Sequence, residues 1–223
     1  MLNTKKLLTA ALAGIVVSAS SFVLAASLAR GDTRTHTVTR ELPWDGSESL
    51  YVDVPANVHY VQTAGEGKVI VTGAARSVSS LRAEGGELRD ERWHTGDALD
   101  ITLYAPKVSR FSIKGKDTLV IENYDQPELH IETSGRADVR ASGRAGVVTL
   151  ALEGAGWVDL SQLVSAGAEV SLTGSRHALL APTEWAKVSG GGSVVFVTRP
   201  AKVETNLGES GKVLYAAAPG TQH

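Results

Sequence analysis

From Leu129 onward, apolar and polar residues alternate in short runs, and glycine turns cut the runs at nearly even intervals. Leu129/Ile131, Val148/Leu150/Leu152, Val158/Leu160, Val170/Leu172 and Val194/Phe196 share one side of their runs. His130/Glu132, Asp138/Arg140, Thr149, Trp157/Asp159, Glu169/Ser171, Trp185/Lys187 and Lys202/Glu204 share the other. A period of two is that of a strand with one side in a core, so the first set is predicted to point inward and the second outward. The turns carry their first glycines at 135, 154, 174, 190 and 208, at intervals of 19, 20, 16 and 18 residues. That period is too short for a helical-pair repeat. It suits one coil of a β-solenoid, which buries its apolar side only by stacking on its neighbours.

Less regular alternation precedes the repeat. Leu50, Val52 and Val54 alternate with Tyr51 and Asp53, and Pro55-Ala56-Asn57 turns the chain into Val58–Gln62. Further strands are predicted at Lys68–Thr72, Leu99–Tyr104, Val108–Ile113 and Leu119–Glu122. The segment Ala74–Asp97 is the least strand-like: Val78, Leu81 and Leu88 suit a short helix or a meandering connection, and Gly85-Gly86 marks a turn. Residues 30–48, with Thr33, Thr35, Thr37 and Thr39 alternating, read as a linker or an edge strand, closed by the turn Pro43-Trp44-Asp45-Gly46. No break in composition divides residues 49–215. The expectation is all-β: a parallel β-helix-like solenoid of short glycine-punctuated coils, one continuous domain over 49–215, with a tail at 216–223.

Residues 1–29 have the form of a secretory leader, with Lys5-Lys6, an apolar run from Leu7 to Leu24, and cleavage positions after Ala25, Ala26 or Ala29. The same run, Leu7–Ala29, is long enough to span a bilayer core of about 30 Å, so an uncleaved anchor is the alternative. Either reading exports the rest to the periplasm or the surface of a bacterium. Membrane contact is expected only through this segment, if it is kept.

Composition narrows the chemistry. Of 223 residues 43% are hydrophobic but only 5% aromatic, with 23 glycines, which favours thin β-layers and tight turns. The net charge is -2, and losing Lys5 and Lys6 with the leader takes it two further, to -4. Nucleic acid is excluded as a partner, because phosphate binding needs clustered Lys and Arg. There is no cysteine, hence no disulfide, thiolate metal site or cysteine nucleophile.

Ser49 to Tyr60 (SLYVDVPANVHY), the strand Val69-Ile70-Val71, Leu99-Asp100-Ile101 and the Ser-Gly turns together resemble the putative autotransporter adhesin head GIN domain family. Ser189–Val195 and Asn206–Val213 are the stretches most similar to its repeats, and the resemblance covers roughly residues 47–214. It implies a bacterial envelope protein with a β-solenoid fold, and it brings no catalytic residue with it. The large membrane barrel of a complete autotransporter is not in this sequence.

Motifs for catalysis fail on inspection. Gly208-Glu209-Ser210-Gly211-Lys212 has the look of a phosphate loop, but Asn206 stands where the upstream glycine is required and Val213 where the hydroxyl is. Gly154-Ala155-Gly156 lacks the helix a dinucleotide site needs. Gly190-Gly191-Gly192 lacks a following aspartate for calcium. His36, His59, His94, His130, His177 and His223 show no ligand spacing, and Ser134, Ser142 and Ser189 sit in ordinary Ser-Gly turns. No cofactor, metal site or catalytic residue is expected. Outward Asp138, Asp159 and Glu169 are the carboxylates a polysaccharide-cleaving β-helix enzyme would use, the main enzymatic alternative. Trp157 and Trp185 point outward by parity and are the candidates for stacking on a sugar or anchoring an envelope protein. Packing under a neighbouring coil is their other use. The functional expectation is a non-enzymatic surface for binding or adhesion, with a glycan or an envelope protein as partner. A membrane-anchored periplasmic structural or regulatory module is a further alternative.

Overall fold

The computed structural model describes residues 36–90 and 98–216, so the leader at 1–29 and most of the tail at 216–223 lie outside the described residues. The elements run β1 (Thr37–Pro43), β2 (Ser49–Asp53), β3 (Ala56–Gln62), β4 (Lys68–Ala74), α1 (Ala75–Ser80), β5 (Leu81–Glu84), β6 (Glu87–Asp90), β7 (Leu99–Ala105) and β8 (Arg110–Gly115). Then come β9 (Thr118–Gly135), β10 (Asp138–Gly190), β11 (Ser193–Phe196), β12 (Lys202–Leu207) and β13 (Lys212–Tyr215). β10 is one long path of extended backbone that winds through three coils before it ends.

The winding makes a β-solenoid with three faces. The first face stacks residues 118–122 of β9 on β3 below and 138–141 of β10 above, and ends with β11 and β13. The second pairs 124–128 with 143–147. The third stacks β8, 129–135 and 148–152, and closes with 185–190 beside β12. All these pairings are parallel and lie about 19–20 residues apart in sequence over the middle coils. The step from 20 to 19 occurs where Ile121 pairs Ala141 but Tyr124 pairs Gly143. The extra residue is absorbed at Asn123, which takes a left-handed φ of 57°, a conformation asparagine tolerates better than most.

Every residue predicted inward from Leu129 to Phe196 is buried, in a core continuous from Leu42 to Phe196. Each Val, Leu or Ile so placed contributes about 1.5–3 kcal/mol of burial, which is what holds coil to coil. Tyr60 packs edge-on against Phe111 with ring centroids 5.2 Å apart and donates its hydroxyl to the Ala105 carbonyl at 2.9 Å. Burial raises the Tyr60 pKa to about 12.

The repeat begins one coil before the Ser-Gly turns do. Gly115, Gly135, Gly154 and Gly174 form a corner ladder, all with φ between 87° and 105°, and a Cβ on any of the last three would strike the backbone of the glycine beneath. Gly115 stands 20 residues before Gly135, at the interval of the later turns. Residues 37–43 form an edge strand and not a linker: β1 pairs antiparallel with β4 along all seven residues. Trp44 is buried against Gly67, its Nε1 donating to the Ser47 carbonyl at 3.1 Å.

Ala74–Asp97 resolves, over its described part, into a helix and a hairpin. Val78 is buried in α1, while Leu81 and Leu88 lie on β5 and β6, joined by a two-residue turn at Gly85-Gly86 with both φ positive. The chain order is not the stacking order here: β3 lies between β7 and β9, and β2 between β6 and β8. The antiparallel β1/β4 pair and β5/β6 hairpin therefore close the N-terminal end of the solenoid.

Candidate binding face

The first face carries its outward side chains in columns. One column rises from Asp100 through Asn57 and Thr118 to Asp138, each paired with the next across parallel strands. Above Asp138 the column continues with Trp157, whose backbone N–H donates to Asp138 Oδ1 at 2.8 Å. Trp157 then meets His177, ring centroids 5.7 Å apart and tilted by 32°, and Ser193 and Lys212 complete the ascent. Trp157 keeps 44% of its surface exposed, more than an indole needed for packing would. A second column beside it runs Thr102, His59, Val120, Arg140, and higher up Leu179, Val195, Leu214. Asp159, two residues beyond Trp157, is half-buried, and its Oδ1 accepts from the N–H and hydroxyl of Ser161 at 3.0 and 2.6 Å.

At the lower end the same face forms a shallow groove of about 360 Å³ between Asn57, His59, Asp100, Thr102, Thr118 and Glu122. Asn57 Nδ2 donates to Asp100 Oδ1 at 2.9 Å, and His59 Nε2 stands 3.1 Å from Glu122 Oε2.

A buried arginine fixes the geometry behind Trp157. The corner position just before each rung holds Asp117, Ala137, Gly156 and Arg176 in successive coils. The Arg176 side chain is fully buried and turns back down that corner. Its Nε donates to the Glu153 carbonyl at 3.0 Å, Nη1 to Ala137 at 2.8 Å, and Nη2 to Gly135 at 3.4 Å and again to Glu153. One guanidinium thus ties its own coil to the two beneath it. Desolvation lowers the Arg176 pKa from its ordinary value, and the charge of Asp138 works against that shift. Gly156 is obligatory here: its φ is 131°, and an added Cβ would stand 2.5 Å from Arg176 Nη1 and strike the Ala137 carbonyl. The alternation pattern missed Arg176. The available signal was a bulky cation where equivalent corners hold Ala137, Gly156 and Gly192.

The remaining sequence-predicted residues lie elsewhere. Trp185 belongs to the third face, where its indole lies across Gly167, so closely that a Cβ at Gly167 would overlap the ring. Lys187 Nζ stands 5.8 Å from the centre of that ring. Glu169 is also on the third face, beside Lys187 and Glu204. The structure therefore brings Asp138, Trp157 and Asp159 together on one face and separates them from Trp185 and Glu169. Hydrolysis of a glycosidic bond needs two carboxyls facing each other across it, about 5–10 Å apart. Glu169 cannot join Asp138 and Asp159 in that role. Among the described residues, no three His, Asp or Glu side chains converge as around a metal ion, and no helix is long and apolar enough to cross a membrane.

The family model described as "Putative auto-transporter adhesin, head GIN domain" matches residues 94–200. Residues 94–200 belong to that family. The matched segment contains the corner ladder from Gly115 to Gly174, Arg176 and Trp157. The same solenoid fold is seen in a crystal structure of a "putative adhesin" from Bacteroides fragilis, at 18% identity and a TM-score of 0.64 over 82% of this chain and 98% of that one. A "putative lipid binding protein" from Parabacteroides distasonis (16% identity, TM-score 0.47, 81% and 97% covered) is similar. So is a "putative adhesin" from Parabacteroides merdae (13%, 0.47, 81% and 96%). No curated protein matches the chain.

Proposed function

We propose that this chain is an exported, non-enzymatic protein of a bacterial envelope that uses the first face of its head GIN solenoid to bind a surface partner. The observation that carries the reading is the Asp138–Trp157–His177 column: a half-exposed indole, backed by an imidazole and held in register by Arg176, on a face without deep walls. An aromatic surface kept exposed and rigid is suited to stacking contacts, and the shallow groove gives no enclosure for chemistry. The family's description as an adhesin head agrees with such a role. Export rests on the leader-like residues 1–29.

Two measurements test this. Cell fractionation with N-terminal sequencing should find the protein outside the cytoplasm, beginning near residue 26, 27 or 30; a cytoplasmic, unprocessed protein overturns export. Capture of envelope material by the purified protein should be lost in Trp157→Ala and retained in Trp185→Ala. Equal capture by wild type and Trp157→Ala removes the first face as the binding surface.

A further inference from the structure

We infer that the partner is a neutral linear glycan that lies along the solenoid axis, from the groove at Asn57 and His59 up to Trp157; this rests on the proposed binding role of the first face. The length of the face favours a chain of sugars. Rungs of a sheet are spaced about 4.8 Å apart, so Asn57 and Trp157, three rungs apart in one column, are separated by roughly 14 Å. A disaccharide cannot cover that distance, and a chain of several sugars can.

The chemistry along the path also suits a sugar. The groove is lined by Val58, Ile101 and Val120 together with hydroxyl, amide and carboxylate groups that use only part of their hydrogen-bonding capacity on each other. Asn57 keeps its amide oxygen and Asp100 its second carboxylate oxygen beyond the bond between them, and the Thr102 and Thr118 hydroxyls stand on the same wall. The rung between the groove and the tryptophan carries the exposed Asp138 and Arg140, which add hydrogen-bonding groups to the path. Hydroxyl-binding groups at one end and an exposed indole at the other match the two sides of a pyranose: its equatorial hydroxyls and its apolar C–H face.

Charge selects for a neutral chain. Asp100, Glu122, Asp138 and Asp159 outnumber Arg140 and Lys212 along this face. A net negative strip repels polyanions, which separates neutral glycans from uronate or phosphate polymers and from nucleic acid.

The experiment is calorimetric titration of the purified protein with neutral hexasaccharides (β-1,4-linked glucose, β-1,4-linked N-acetylglucosamine and α-1,4-linked glucose), the corresponding disaccharides, and polygalacturonate. Both substituted side chains are exposed, and thermal unfolding confirms that the variants fold. At least one hexasaccharide should bind, with affinity falling about tenfold in Trp157→Ala and about fivefold in Asn57→Ala. The matching disaccharide, too short to reach both ends, should bind about tenfold more weakly than the hexasaccharide, and equal affinity overturns the axial path. Loss in Trp157→Ala but not in Asn57→Ala overturns the axial path. Preference for polygalacturonate overturns the charge argument. Absence of sugar binding, while Trp157→Ala still abolishes capture of envelope material, overturns the glycan and leaves the binding face standing; failure of both assays overturns both.

Discussion

Asp117 and Arg176 occupy the same inner corner of the solenoid, three coils apart, and they are two opposite solutions to burying a charge. Arg176 spends its donors on three carbonyls from the two coils beneath it. Asp117, also buried, accepts one bond, from the Ala56 N–H at 3.1 Å, and its Oδ2 has no partner. A buried guanidinium that makes four backbone bonds becomes a staple, whereas a half-bonded carboxylate stays a weak point whose charge is held at a cost. Desolvation raises the Asp117 pKa from 3.8 to about 6. Between the two residues stand only Ala137 and Gly156, small enough to let the Arg176 side chain descend.

The largest effect should come from removing the staple. Arg176→Ala strands the carbonyls of Gly135, Ala137 and Glu153 and leaves a cavity, and should cost about 3–5 kcal/mol in urea unfolding. Arg176→Lys should recover little, since one ammonium cannot reproduce the planar fork. A loss under about 1 kcal/mol for Arg176→Ala would show that the corner holds without it.

Gly156→Ala attacks the staple from below. With φ at 131° and the guanidinium in the way, the substitution should cost about 2–4 kcal/mol, and should cost less when Arg176 is already alanine. Additive losses would mean the two residues act independently.

Asp117→Asn tests the weak point. Because the folded pKa lies above the unfolded value, the folded state holds the proton more tightly. The group's contribution is fully present below pH 3.8 and is lost as pH rises to about 6. Asparagine should therefore raise stability at pH 7, by on the order of 2–3 kcal/mol at most. It should also flatten the fall in stability between about pH 4 and 6, read by urea midpoints across that range. No change in the slope would place the titrating group elsewhere.

The smallest effect on stability belongs to Trp157→Ala, expected under about 1 kcal/mol for a half-exposed ring, although it should remove binding. Trp185→Ala should cost more, since its indole covers Gly167.

Much of this architecture was legible because a solenoid writes itself locally. Val148, Leu150 and Leu152 announce an inward side by alternation alone, and Gly135, Gly154 and Gly174 announce the corner because a left-handed, close-packed position accepts little else. What was not legible depends on stacking. That Trp157 meets His177 while Trp185 meets Gly167 follows from a coil length of 20 in one place and 18 in the other, which no local pattern states. The N-terminal part was least readable, because β3 is set between strands that follow it in sequence by 40 residues or more. Arg176 was hidden by its type: charged residues are expected outside, and only its four backbone bonds make the inside acceptable.

The antiparallel closure of the N-terminal end also has a mechanical meaning. β1 is bonded to a single neighbour, β4, through seven residue pairs, and the coil bearing Trp157 lies deeper in the stack. Tension between a partner held on that face and the chain leading into Thr37 therefore falls first on β1. It would peel away while the coils bearing Trp157 remain wound, so the strand acts as a shock absorber for the grip.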